Sequence, residues 1–250
     1  MEANGYPETA PEQAVPINLA TTPPVERNRL TAAIRIIMVI PQFFVLFFVG
    51  IAAAVVLIIG WFGALFTGRL PDFAEEFLSG VLRWETRVYA YLYFLTDDYP
   101  PFSLQHEEQY PIVVDVPPPA RLSLLAVLFR IILVIPAWIV VSVAGYGLGV
   151  VAFASWFMIL FTGKLPEPLY EATRAVVRFG ARVGGYFAML TPEYPWGILG
   201  DGPPDGESST ELNPGVRGSW TLRLSPSGRT AMIVLLVIGV ILFVVNLRRY

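Results

Sequence analysis

Three long stretches of the chain are almost free of charged residues. Stretch 30–67 contains only Arg35, stretch 122–162 contains only Arg130, and stretch 231–245 contains no charged residue. A helix of about 20 residues crosses the apolar part of a bilayer. The last stretch, which is followed by Arg248 and Arg249, therefore predicts one C-terminal transmembrane helix.

The first two stretches are each about twice as long as a single crossing requires. Each must double back, lie partly along the surface, or project out of the bilayer. Glycines at 145, 147 and 149 lie near the middle of the second stretch, and Gly50 lies near the middle of the first. Because glycine tolerates the backbone angles of tight turns, we predict that each stretch forms a hairpin, with one long helix as the alternative.

Each long stretch is followed by an amphipathic segment. In segment 72–95, apolar and aromatic residues recur at spacings of three, four and seven, which predicts a helix: Phe73, Phe77, Trp84, Val88, Tyr91 and Leu95. Arg83 and Arg87 share another face, so we predict a helix that lies in the headgroup layer of a membrane. The alternative is a short spanning helix, which would bury the charges of Arg83, Glu85 and Arg87 at about 3 kcal/mol each.

The two halves of the chain are copies of each other at a shift of 95 residues. The most distinctive shared feature is a turn motif after each long stretch. It comprises Phe66, Thr67, Gly68, Arg69 and Pro71 in the first copy, and Phe161, Thr162, Gly163, Lys164 and Pro166 in the second. Such internal similarity indicates a duplicated structural unit.

Three short segments with alternating apolar residues predict strands, at 15–19, 112–116 and 220–224. Since one short strand is marginal alone, we expect all three to form one small sheet. The predicted divisions are an acidic, proline-rich tail at 1–14, two repeats at 15–102 and 110–197, a polar linker at 198–218, and a strand with the final helix at 219–250. The predicted class is a mainly α integral membrane protein that contains a tandem repeat.

The repeat also bears on topology. Both copies carry basic residues at the turn and paired arginines on the following helix. Basic residues near membrane ends prefer the cytoplasm, so an even number of crossings per copy would keep both sets there. We therefore predict two, two and one crossings, with both copies the same way up, a cytoplasmic N-terminus and an external C-terminus.

Composition agrees with a membrane protein and excludes several chemistries. Hydrophobic residues make up 55% of the 250 residues and charged residues 15%, with a net charge of −3. This charge argues against nucleic-acid binding. The absence of cysteine excludes disulfides and thiolate metal sites, and the one histidine, His106, is too little for a histidine metal cluster. No catalytic motif is present, so we expect no enzyme activity, no metal and no cofactor.

Arg35 and Arg130 are intramembrane charges at equivalent positions, which makes them candidate functional residues. The favoured alternatives are that they reach the membrane interface or form structural ion pairs. The proposed acidic partners lie at equivalent positions in the two copies. They are Asp72 or Glu76 for Arg35, and Glu167 or Glu171 for Arg130.

A second candidate group comprises arginines and aromatic residues of the amphipathic segments that could hold anionic lipid headgroups: Arg83, Arg87, Trp84, Tyr91, Arg178, Arg182 and Tyr186. Generic anchoring at the interface is the favoured alternative.

Several of these features together resemble a known family. They are the segment 110–114 (Tyr-Pro-Ile-Val-Val), Pro119, Arg121, the run 130–136 and the turn motif 160–166, followed by Arg178, Tyr186, Leu190-Thr191 and Tyr194-Pro195. The sequence is similar to the bacterial DUF4389 family over about residues 15–195. The second copy departs from the first at its end, with Trp196-Gly197 in place of Pro101-Phe102. The resemblance implies a protein of the bacterial plasma membrane and assigns no activity.

We therefore expect a non-catalytic accessory or scaffold protein. Its expected partners are membrane lipids, with other membrane proteins or a second copy as further possibilities, and no nucleic acid. The alternative function is a small transporter or channel, formed either by one chain or by an oligomer. That function needs a polar path, and the long stretches offer few further polar residues: Gln42, Ser142, Tyr146 and Ser155.

Overall fold

The computed structural model describes residues 17–21, 26–107, 109–200, 222 and 224–249. Within them lie two strands and six helices, in the order β1 (Asn18–Thr21), α1 (Arg29–Thr67), α2 (Asp72–Leu92), β2 (Ile112–Asp115), α3 (Leu124–Leu128), α4 (Arg130–Thr162), α5 (Glu167–Phe187) and α6 (Pro226–Leu247). The described part of the chain is mainly helical, as predicted.

Neither long apolar stretch turns back, so the prediction of two hairpins is wrong. The first stretch is one helix of 39 residues and the second contains one of 33 residues. The glycines near the middle of α4 lie inside the helix, where Gly147 meets the backbone carbonyl of Leu235 in α6. Gly239 of α6 meets the carbonyl of Val143 in the same way. The missing side chains thus allow two helices to approach closely, a role of glycine that the sequence pattern did not separate from turn formation.

Three helices, α1, α4 and α6, are long and apolar enough to cross a membrane. Much of their apolar surface is uncovered by the rest of the described chain, as in Phe44, Phe66 and Phe161, which are 66%, 82% and 67% exposed. Soluble monomers rarely expose contiguous apolar patches of this kind. These features together suggest a membrane protein.

Helices α2 and α5 form the centre of the fold. Helix α2 packs on α1, α5 packs on α4, and the two contact each other where Leu82 lies against Gly184 and Gly185. The two helices that the amphipathic patterns predicted are present. Their position in a headgroup layer stays a prediction.

The two copies make reciprocal contacts. The indole Nε1 of Trp61 donates to the carbonyl of Val127 at 3.0 Å, and the indole of Trp156 donates to the carbonyl of Ala32 at 3.1 Å. A shift of 95 residues converts one hydrogen bond into the other. The end of α1 therefore lies beside α3 and the start of α4, while the start of α1 lies beside the end of α4.

This arrangement makes α1 and α4 antiparallel, because the ends of a helix as long as α1 are roughly 58 Å apart at 1.5 Å per residue. The prediction that both copies lie the same way up rested on each long stretch returning to its starting side. A single helix cannot do this, so the premise is wrong. Where α1 and α4 each cross a bilayer once, the two copies point in opposite directions.

The strands β1 and β2 pair antiparallel, with Asn18 opposite Asp115 and Thr21 opposite Ile112. The third predicted strand, at 220–224, lies outside the described residues except for Leu222 and Leu224, which are buried. The described residues therefore contain a two-stranded pair in place of the predicted three-stranded sheet. The predicted tail at 1–14 and most of the linker at 198–218 also lie outside the described residues.

The α4–α6 contact leads to a stability prediction. Gly147→Ala would place a Cβ atom against the carbonyl of Leu235, and overpacking of this kind costs about 1–3 kcal/mol. Thermal unfolding of the purified protein in detergent should show a lower midpoint. The control is Gly145→Ala in the same helix, where a Cβ atom meets nothing within 4 Å and helix propensity improves by about 1 kcal/mol. Equal midpoints for the two variants would contradict the close approach of α4 and α6.

Candidate functional site

The two arginines of the long apolar stretches are buried at equivalent places in the two copies. Arg35 is 0% exposed and Arg130 is 2% exposed. A buried guanidinium is costly unless hydrogen-bond acceptors or counter-charges replace the lost water. Their partners therefore decide what each site can do.

Arg35 is held by the residues that follow α2. Its Nη1 donates to the carbonyls of Tyr91 and Thr96, the latter at 2.9 Å, and its Nη2 donates to Oδ1 of Asp97 at 2.5 Å. Its guanidinium carbon lies 4.4 Å from the ring centre of Tyr91 and 4.6 Å from that of Phe94. Repeat 1 thus supplies acceptors, one carboxylate and two aromatic faces to a single buried cation.

Asp97 also ties this site to the start of α1. Its Oδ1 lies 3.8 Å from Nη1 of Arg27, and its Oδ2 accepts the backbone N–H of Asn28 at 3.0 Å. Burial lowers the pKa of Arg27 to about 10, because it removes water from the guanidinium, and Asp97 partly offsets this effect. Arg27 therefore stays protonated at neutral pH, and one carboxylate serves two buried cations.

The predicted pairing of Arg35 with Glu76 is wrong, and so is the alternative with Asp72. Helix α2 runs back along α1, so its first turn lies near the end of α1 and its last turn lies near Arg35. Asp72 and Glu76 are exposed at the far end. The sequence-based pairing assumed that the acids at the start of α2 were the ones within reach.

Arg130 keeps part of this arrangement and lacks its acid. Its Nη2 donates to the carbonyl of Thr191 at 2.5 Å, and its guanidinium lies 4.1 Å from the ring centre of Tyr186. These contacts match those of Arg35 with Thr96 and Tyr91. Pro192 occupies the position equivalent to Asp97. Within the described residues Arg130 forms no salt bridge, and its buried Nε and Nη1 have no hydrogen-bond partner.

Most residues that were predicted to hold lipid headgroups lie inside the protein. Trp84, Tyr91 and Tyr186 are buried, and three of the arginines donate to backbone carbonyls within the chain. Arg87 donates to Ser103 at 2.5 Å, Arg178 to Gly197 at 3.1 Å, and Arg182 to Ile17 and Trp196 at 2.9 and 3.0 Å. Arg83 is half-buried and donates to Oγ of Ser79 at 3.1 Å. These contacts favour a structural role, and headgroup binding by these residues stays a prediction.

The turn motif ends each long helix and joins the copies. Gly68 and Gly163 both have a φ of 72°, the left-handed conformation that favours glycine at a helix end. Their carbonyls accept the backbone N–H groups of Leu122 and Arg27 in the other copy, at 2.8 and 2.9 Å. Thr67 and Thr162 cap the turns through their hydroxyls, while Pro71 and Pro166 precede α2 and α5. The remaining motif residues are exposed: Phe66, Arg69, Phe161 and Lys164.

The contacts of two residues in repeat 1 were missed in the sequence. Asp97 could have been found, because it is an acid next to a Leu-Thr pair that recurs in both copies. Gln42, fully buried, accepts from Nε1 of Trp84 at 2.9 Å and donates to the carbonyl of Pro100 at 2.6 Å, a contact that no spacing revealed. In the described part of the chain no group of three or more His, Asp or Glu could hold a metal ion.

The Asp97 network gives a second prediction. Asp97→Asn removes the carboxylate from Arg35 and Arg27, and breaking a buried pair typically costs 3–5 kcal/mol. Because the Asp97 side chain is 25% exposed, we expect a loss of about 3 kcal/mol in chemical unfolding. Glu76→Gln is the control, with an expected change within about 0.5 kcal/mol. An equal loss from both variants would contradict the special role of Asp97.

The sequence was compared with protein families, curated proteins and solved structures. The family described as a domain of unknown function (DUF4389) matches residues 29–103 and 125–198, which together make up more than half of the chain. No significant match was found among curated proteins or among solved structures. The two matched segments contain the two buried arginines and the two turn motifs in the same order, consistent with a tandem repeat. The chain therefore belongs to the DUF4389 family.

Proposed function

We propose that the protein is a non-catalytic membrane scaffold or accessory subunit, which contacts lipids and other membrane proteins through the outer faces of its long helices. One observation carries the proposal. Within the described residues most buried polar side chains form hydrogen bonds inside the chain, while many apolar side chains of α1, α4 and α6 face outward. Such a molecule offers surface for association and few free groups for chemistry.

The outer surface supports this proposal. On α1, aromatic side chains follow one another along the uncovered face, with Phe44 at 66% and Phe48 at 54% exposure. In a bilayer, lipid chains or the helices of another membrane protein would cover this face. A second copy of the chain could cover the same face with its own apolar helices. Nucleic acid, which is polar and charged, would not cover it.

The polar residues of the long helices give little support to a transport path. Gln42 is bonded inside repeat 1, whereas Tyr146 accepts from Nδ2 of Asn246 at the α4–α6 contact. Ser155 is buried in α4, and Ser142 lies on its exposed side. A transport path needs such groups along one line, and these belong to separate contacts.

We further propose that the protein resides in the bacterial plasma membrane as a multi-pass protein with a cytoplasmic N-terminus. The orientation of the first span usually dominates, and Arg27 and Arg29 precede it. Between the end of this span and the start of α2 the only basic residue is Arg69. Three spans that alternate in direction would place the C-terminus outside.

Site-specific photocrosslinking in native membranes tests the subunit role. A photoreactive residue at Phe44 faces outward, whereas one at Val39, 4% exposed, faces the interior and is the matched control. We expect a discrete protein adduct from Phe44 and none from Val39. Adducts with lipid alone from every exposed position would remove the subunit role.

A flux assay tests the scaffold function from the other side. Purified protein in vesicles of phosphatidylethanolamine and phosphatidylglycerol should release ions and small solutes no faster than protein-free vesicles. Robust flux that depends on the protein would overturn the proposal in favour of a transporter or channel.

A further inference from the structure

An apolar pocket of about 320 Å³ lies beside Arg130, between the end of α1 and the end of α5. Its walls are Leu57, Ile58, Trp61 and Phe62 of α1, together with Phe187 and Met189. Arg130 is the charged residue of its lining. An apolar cavity with one cationic group matches a ligand that combines an apolar chain with one negative charge.

Arg130 lines this pocket and has hydrogen-bonding capacity that the described residues leave unused. Its Nη2 is bonded to the carbonyl of Thr191, but its Nε and Nη1 are buried without a partner in the described residues, whereas Arg35 leaves only its Nε without one. A buried guanidinium without a counter-charge is destabilising, and an anion that accepted from these nitrogens would relieve the cost.

Repeat 1 shows which group satisfies an arginine in this setting. There the carboxylate of Asp97 accepts from Arg35, and the ring of Phe94 lies 4.6 Å from the guanidinium carbon. Phe94 is equivalent to Met189 by the shift of 95 residues, and both have positive φ, 65° and 62°. The first copy thus fills its own site with an acid and an aromatic ring.

Repeat 2 lacks both fillers. Pro192 stands at the position of Asp97, and the flexible Met189 stands at the position of Phe94. The arginine keeps one backbone contact, with the carbonyl of Thr191, and its contact with the ring of Tyr186. What has been lost is the carboxylate and the ring that would close the pocket.

We propose that Arg130 and this pocket bind a fatty acid. Its carboxylate would accept from Arg130 in the place that the carboxylate of Asp97 takes at Arg35, and its chain would lie in the apolar pocket. Ile58, Phe62 and Ile131 are 59%, 51% and 61% exposed, so the pocket opens towards the side where lipid chains would lie. This inference deepens the proposed function by naming a ligand, and it rests on that function for the supply of the ligand from a bilayer.

A single-chain carboxylate fits better than an anionic phospholipid. In repeat 1 the charged group that accepts from the arginine is a carboxylate. In repeat 2 Arg130 lines this one apolar pocket, which suits a ligand with a single acyl chain. A carboxylate without a chain would gain no apolar burial, and a chain without charge would leave the guanidinium unpaired.

Native mass spectrometry of the full chain in an uncharged detergent, titrated with oleate, tests the proposal. We expect one oleate per chain, with no comparable binding of oleyl alcohol or acetate. Arg130→Gln should weaken oleate binding by about tenfold to a hundredfold, since charge-assisted hydrogen bonds are lost.

Two further variants keep Arg130 and give repeat 2 the fillers of repeat 1. Pro192→Asp supplies a carboxylate from within the chain, and Met189→Phe fills the pocket. Each should reduce oleate binding at least about tenfold while thermal stability is kept or raised. Pro192→Asn is the matched control for the first, because it changes the backbone without adding charge, and it should bind oleate like the unaltered chain.

Unchanged oleate binding in Pro192→Asp and Arg130→Gln would overturn the site. Displacement of oleate by equimolar phosphatidylglycerol, with loss of that lipid in Arg130→Gln, would replace the fatty acid by a phospholipid and overturn the assignment. Equal binding of oleyl alcohol and oleate would show an apolar pocket without a role for the charge, and would also overturn it. None of these outcomes bears on crosslinking or flux, so a failure here is distinguishable from a failure of the scaffold proposal.

Discussion

A guanidinium inside an apolar helix has to find acceptors within the protein, and much of repeat 1 is arranged around this requirement. Arg35 draws the segment after α2 back onto α1, through two carbonyls and Asp97. Asp97 in turn holds Arg27 and the backbone of Asn28 at the start of the same helix. The return of α2 along α1 is therefore fixed at its far end by one cation and one acid, and at its near end by the turn motif at Gly68.

Equivalent contacts also join the two copies. The glycine carbonyl of each turn motif accepts a hydrogen bond from the segment that precedes the long helix of the other copy. A tryptophan of each long helix donates a hydrogen bond to a backbone carbonyl of the other copy. Such pairs of equivalent contacts are the mark of a two-fold relation, in which a surface patch contacts its own counterpart. After duplication the copies were free to diverge, and the difference between Asp97 and Pro192 is where that divergence has chemical consequences.

Much of this could be predicted from the sequence, and the failures have physical causes. The repeat, the C-terminal apolar helix, the helices after each turn and the family followed from periodicity and from matched motifs. The hairpins were predicted from glycines near the middle of each run, but glycine is also compatible with a continuous helix. Gly147 packs closely against α6, which no local pattern indicates, and Gly50 lies inside α1, where a Cβ atom would meet nothing within 4 Å. The partner of Arg35 was also misassigned. Sequence spacing alone does not show whether Glu76 or Asp97 lies near Arg35. The direction in which α2 runs along α1 decides which of the two acids is within reach.

Distances between spin labels test whether α1 and α4 run antiparallel. The chain has no cysteine, so pairs can be introduced at exposed positions: Phe66 with Leu125, and Phe66 with Phe161. Because α4 is roughly 50 Å long at 1.5 Å per residue, we expect the 66–125 distance to be several tens of ångströms shorter than the 66–161 distance. A shorter 66–161 distance would show that the two long helices run in parallel, and the antiparallel arrangement would then be wrong.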